Sequence, residues 1–179
     1  VSIGRVEQGD DIGFFLNPTP NEANGSQSVM GVLNELTIAQ ETGFYNEDFI
    51  YVGVYADEND VNIYYTLDGS EPTNQSNLYS GPIFIQENKV LRAIGIKSGW
   101  LSSPIITRTF IFDSDSQGFP AIFLSTAPDN FFDYNTGIYV MGPNASADYP
   151  HFGANFWEDW EKPIYLEVLE DDGVYFSSP

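Results

Sequence analysis

The stretch Lys89–Lys97, read KVLRAIGIK, alternates along its length. Val90, Arg92, Ile94 and Ile96 fall on one face of an extended chain, and Leu91, Ala93 and Gly95 fall on the other. Alternation of this kind predicts a strand with one face turned toward a core. Comparable runs recur at Phe49–Tyr55, Val61–Thr66, Pro82–Ile85 and Ile105–Phe112. Each is short, rich in β-branched and aromatic residues, and bounded by Gly, Asn, Asp or Pro. Apolar residues at helical spacing are scarce. The pattern restricts the chain to a mainly β fold, and the runs from Phe49 to Phe112 predict a small immunoglobulin-like β-sandwich.

The composition changes on either side of this region. Asn17–Ser26 is rich in Pro and Asn and has no apolar period, so it is predicted to be a linker. Asp113–Gly118 is a second polar junction. Beyond it, Ile122–Ser125, Gly137–Met141 and Ile164–Leu169 are predicted strands, and Pro128–Asp133 a short helical turn with Pro near its start. The expected divisions are 1–27, 28–113 and 114–179. An opening of Val1-Ser2-Ile3 in place of a start Met reads as the interior of a longer protein.

The charge balance narrows the classes of partner. Six Lys and Arg face 26 Asp and Glu, a formal net charge of -20, and neither Lys nor Arg occurs between Arg5 and Lys89. Such a surface repels a phosphate backbone, which excludes nucleic acid as a partner and fits calcium or a salty medium better. Apolar residues at 42% and aromatics at 16% rule out a disordered acidic tail. The chain has no cysteine, so disulfides, thiolate metal sites and thiol catalysis are absent. The longest apolar runs fall far short of the roughly 20 residues of a membrane-spanning helix.

Three successive stretches resemble known extracellular modules. Ser2-Ile3-Gly4-Arg5, Gly13-Phe14-Phe15 and Pro18-Thr19-Pro20-Asn21-Glu22-Ala23-Asn24 resemble the last strands and exit of a bacterial lamin-tail domain, with Asn21 where that pattern has Gly. The centre is similar to the chitobiase/β-hexosaminidase C-terminal family, also called fibronectin type III-associated. The resemblance rests on Tyr65-Thr66-Leu67-Asp68-Gly69-Ser70-Glu71-Pro72, Tyr79-Ser80-Gly81-Pro82-Ile83, Leu91-Arg92-Ala93 and Gly99-Trp100-Leu101-Ser102-Ser103-Pro104. Phe119–Thr126, Asp129–Val140 and Asn155–Pro163 resemble the opening of the spore-coat CotH family of kinase-like proteins. Together these imply a partial β-sandwich, a complete accessory one, and part of an α+β region. The implied role is a non-catalytic structural or adhesion segment of a secreted or cell-surface bacterial protein, exported by a type IX route. The implied alternative is the accessory and N-lobe part of an atypical kinase whose catalytic residues lie elsewhere. Neighbouring domains, surface proteins and glycans are the implied partners.

No residue set reads as catalytic. His151 stands alone, and Glu158, Asp159 and Glu161 are sequence neighbours, which seldom oppose one another across a cleft. Asp57, Asn59 and Asp60 gather oxygen ligands in a strand connection and are the calcium candidates, although calcium needs six to eight oxygens. Asp68–Pro72 and Asp133–Gly137 are expected to be turns. Trp100, at a turn, is the candidate for an exposed ligand-binding ring. Phe156, Trp157 and Trp160 are expected to press into a core from one helical turn.

Overall fold

A computed structural model of the chain describes residues 2–5, 12–15, 28–112, 119–170 and 173–178. The linkers predicted at Asn17–Ser26 and Asp113–Gly118 lie outside the described residues. At the N-terminal end, β1 (Ser2–Arg5) and β2 (Ile12–Phe15) pair antiparallel. Phe14 joins this hairpin to the rest of the chain through two backbone bonds with Val29, of 3.2 and 2.9 Å.

The alternating runs build two layers. The first is a five-stranded sheet in the order β4–β11–β10–β7–β8, made from β4 (Gly43–Tyr45), β7 (Asn62–Thr66), β8 (Asn77–Leu78), β10 (Lys89–Ile96) and β11 (Ile106–Phe112). The second consists of two pairs, β3 (Thr37–Ile38) with β6 (Val54–Tyr55), and β5 (Ile50–Val52) with β9 (Ile83–Ile85). Neighbours in the large sheet run antiparallel except β4, which lies parallel to β11. As the alternation of KVLRAIGIK requires, Leu91 and Ala93 are fully buried, while Val90, Arg92 and Ile94 turn to the outer face. They share one core with Val52, Val54, Ile85 and Phe110. Tyr65 and Leu67 pack against that core from the end of β7.

The run Phe49–Tyr55, predicted as one strand, divides at Gly53. Its carbonyl accepts from Ala39 N–H at 2.9 Å, and its own N–H donates to Gln40 Oε1 at 3.1 Å. The chain therefore leaves β9 at Val52 and takes β3 as its partner at Val54.

After the second linker, β12 (Ala121–Ser125), β13 (Tyr165–Glu170) and β14 (Gly173–Ser178) form an antiparallel sheet in that order. The helical turn predicted at Pro128 is α1 (Pro128–Phe132). Gly137–Met141 is not the predicted strand. The N–H groups of Gly137, Ile138 and Tyr139 donate to the carbonyls of Asp133, Asn130 and Phe131, so the segment folds back on α1 and serves its unpaired carbonyls. Buried Asn155 fastens this loop, its Nδ2 donating to Tyr134 O at 3.2 Å and Gly137 O at 3.1 Å. Phe156, Trp157 and Trp160 do not enter a core. All three are exposed; a single 3₁₀ turn at Asn155–Trp157 is too short to carry them inward. Trp157 instead packs beside Phe152 and donates its indole N–H to Pro150 O at 2.9 Å.

Phe110 lies at the centre of the shared core with no exposed surface. Phe110→Ala is expected to lower unfolding free energy by about 3–5 kcal/mol, measured as a drop in the urea midpoint at constant slope.

Candidate functional site

The calcium and aromatic candidates meet at one lysine. Asp57, Asn59 and Asp60 lie on the turn after β6, all three exposed to solvent, and Asp60 has a left-handed φ of 58°. Lys97 Nζ donates to Asn59 O at 2.8 Å, which sets an ammonium beside this loop. The same Nζ sits 4.9 Å from the centre of the Trp100 ring. The ring also lies against the backbone of Gly31. Trp100 thus seals the end of the sandwich, half-buried between a lysine and a glycine. Among the described residues, no three His, Cys, Asp or Glu side chains converge as a metal site.

The turn in YYTLDGSEPT is built from its own side chains. Asp68 Oδ1 accepts from Ser70 N–H at 3.0 Å and from Ser70 Oγ–H at 2.5 Å. The Ser70 hydroxyl and amide hold the Asp68 carboxyl below its ordinary range. Thr66 Oγ–H reaches Ser70 O at 2.7 Å, and Arg92 Nη1 donates to Gly69 O at 3.2 Å. Gly69 has a φ of 80°, and a Cβ there would stand 2.9 Å from Thr126 O. The turn is therefore also a contact: only a residue without a side chain lets the segment after β12 lie so close.

The same juxtaposition of sandwich and C-terminal sheet is fixed at a second point. On β12 and β13, Phe123, Ser125, Tyr165 and Glu167 share the face that meets the sandwich, as their register dictates. Phe123 packs on Phe44 of β4, ring centres 6.0 Å apart. Beside them Glu167 has no exposed surface at all. One of its oxygens accepts from the hydroxyl of Thr42, and the other from the hydroxyl of Thr109 at 2.5 Å. Thr109 N–H in turn donates to Thr42 Oγ1 at 3.0 Å, which orients that hydroxyl toward the carboxyl. Burial pushes the Glu167 carboxyl above its ordinary value. The threonine bonds and the Arg108 charge pull the other way without reversing the shift, and Glu41 adds to it.

Between these two points the junction leaves a cleft of about 620 Å³. Glu35, Glu71 and Arg92 line it from the sandwich, and Thr126, Asn130 and Tyr165 from the C-terminal region. Asn130 Nδ2 donates to Thr126 Oγ1 at 2.6 Å, and Thr126 Oγ–H to Pro163 O at 2.7 Å, which ties α1 to the entry of β13.

Residues 53–110 match the family described as Fn3 associated. The matched segment runs from Gly53, just before β6, to Phe110 in β11 and contains the Asp68–Pro72 turn, Arg92, Trp100 and Thr109. The match accords with the resemblance of the central region. No curated protein matches the chain. Thr42 and Glu167, the other half of the clamp, lie outside the matched residues. Sequence reasoning missed this clamp; its one legible trace is an acidic residue at an inward position of the apolar run Ile164–Leu169.

Two outcomes are expected. Gly69→Ala, which combines positive φ with the close Thr126 carbonyl, should cost about 1–3 kcal/mol, read by urea denaturation. For Glu167 the folded carboxyl binds its proton more tightly than the unfolded one, so the native state holds more protons in the affected window. Its contribution is full below the ordinary value of 4.5 and is lost as pH rises through the elevated folded value. Denaturation midpoints of the wild type should accordingly fall with rising pH relative to Glu167→Gln; parallel curves would count against the assignment.

Proposed function

We propose that this chain is a non-catalytic structural segment of a large secreted or cell-surface bacterial protein, in which the Fn3-associated sandwich holds its neighbours at a set angle. The observation that carries the reading is the Glu167 clamp. Two hydroxyls from the sandwich and a buried carboxyl from the adjoining sheet lock a relative orientation that apolar packing alone would leave free to slide. In this reading, 1–27 completes a lamin-tail-like unit and 114–179 opens a CotH-like one, with the sandwich at 28–113 between them.

Exposed apolar surface supports contacts beyond the chain. Ile122 and Leu124 project from β12 on the face away from the sandwich, 65% and 63% exposed. Phe49, Tyr51 and Phe84 form an exposed cluster on the outside of the β5–β9 pair, with ring centres 5.4–5.8 Å apart. Patches like these mark surfaces that meet another protein or domain. Neighbouring proteins and glycans of a cell-surface assembly are the partners this role requires. No helix among the described residues is long and apolar enough to cross a membrane.

The role is tested by comparing the wild type with a Thr42→Val/Thr109→Val variant in small-angle scattering. The wild type should scatter as a single rigid body, and the variant, which leaves a buried carboxylate without donors at about 1–3 kcal/mol per lost bond, should broaden its distance distribution. A wild type as broad as the variant would remove the clamp as the basis of presentation.

A further inference from the structure

The junction cleft has more hydrogen-bonding capacity than docking uses. Its volume of about 620 Å³ lies within the roughly 300–1,000 Å³ of small-molecule sites. Among the described residues Arg92 makes one hydrogen bond in the cleft wall, from Nη1 to Gly69 O. Its Nε–H is buried without a partner, and among the described residues its guanidinium pairs with no carboxylate. Glu35 and Glu71 line the same space. The wall therefore offers donors from one guanidinium and one amide, Asn130, and acceptors from two carboxylates. Ile105 and Ile164 supply apolar surface between them.

The charges select the kind of ligand. An anion would have to enter against two local carboxylates and a net charge of -20. A cation would meet the Arg92 guanidinium. A neutral molecule carrying many hydroxyls satisfies both: its hydroxyls donate to Glu35 and Glu71 and accept from Arg92, while its C–H faces lie on the isoleucines. We propose that this cleft is a saccharide site that takes a short neutral glycan at the seam between the sandwich and the C-terminal sheet. The proposal deepens the presentation role and rests on the docked junction, since each unit supplies only one wall.

The test is calorimetric titration of the full chain with neutral hexasaccharides of glucose, mannose, xylose and N-acetylglucosamine, alongside a galacturonate and a glucosamine hexamer as charged controls. At least one neutral sugar should bind, and Glu35→Gln/Glu71→Gln should weaken it about tenfold or more, equal to roughly 1.4 kcal/mol, with unchanged thermal stability. No heat from any neutral sugar at about 10 mM, a ligand concentration that would reveal millimolar binding, would overturn the site. So would tighter binding of either charged control, or a variant that binds as well as the wild type. Scattering on the same samples separates the two ideas: a rigid chain without sugar binding overturns the cleft alone, whereas a loose junction overturns the presentation role as well.

Discussion

A carboxyl group shut away from water must take its hydrogen bonds from the protein or give up its charge. Glu167 is in that position, and the bonds come from Thr109 in β11 and from Thr42 just before β4, on the sandwich side of the junction. The sandwich has its own core of Leu91, Phe110, Val52 and Ile85, to which Glu167 does not belong, and the C-terminal sheet has its own strand pairing. What depends on the clamp is the relation between them, and with it the cleft that neither unit encloses alone. A buried carboxyl adds little net stability, but leaving it without its donors is costly, which favours the alignment in which both hydroxyls reach it.

The Asp68–Pro72 turn works toward the same end by sterics. Asp68 and Ser70 close the turn internally and Arg92 braces the Gly69 carbonyl, so the glycine presents bare backbone to Thr126. A polar turn commonly ends a strand and faces solvent. Here it ends β7 and also receives the next unit. Arg92 connects the two tasks, bonded to the turn on one side and lining the cleft on the other.

Sequence reasoning recovered the elements whose burial follows from period two. KVLRAIGIK, Val61–Thr66 and Ile105–Phe112 became β10, β7 and β11 almost to the residue, because each alternates over enough positions to define an inner face. It failed where the decisive partner is distant or local pairing competes. Phe49–Tyr55 alternates without interruption, yet Gln40 and Ala39 claim Gly53 and split the strand. Gly137–Met141 has strand composition but answers the open carbonyls of α1. Two-residue strands such as β3 and β8 are too short to show a period at all.

The chain's own residues determined the mainly β class, the sandwich between Phe49 and Phe112, the exclusion of cysteine chemistry, and a strongly acidic net charge. Those properties rest on local alternation and on summed charge, which need no knowledge of what lies across the molecule. Tertiary structure alone decided that the hydroxyls of Thr42 and Thr109 both donate to Glu167, that Gly69 touches Thr126, and that Lys97 occupies both the acidic turn and the Trp100 ring. All of those contacts but the three-residue step from Lys97 to Trp100 join positions separated by tens of residues. A hydroxyl or a carboxylate acquires its role there from the distance and angle to its partner, which the order of residues along the chain does not express.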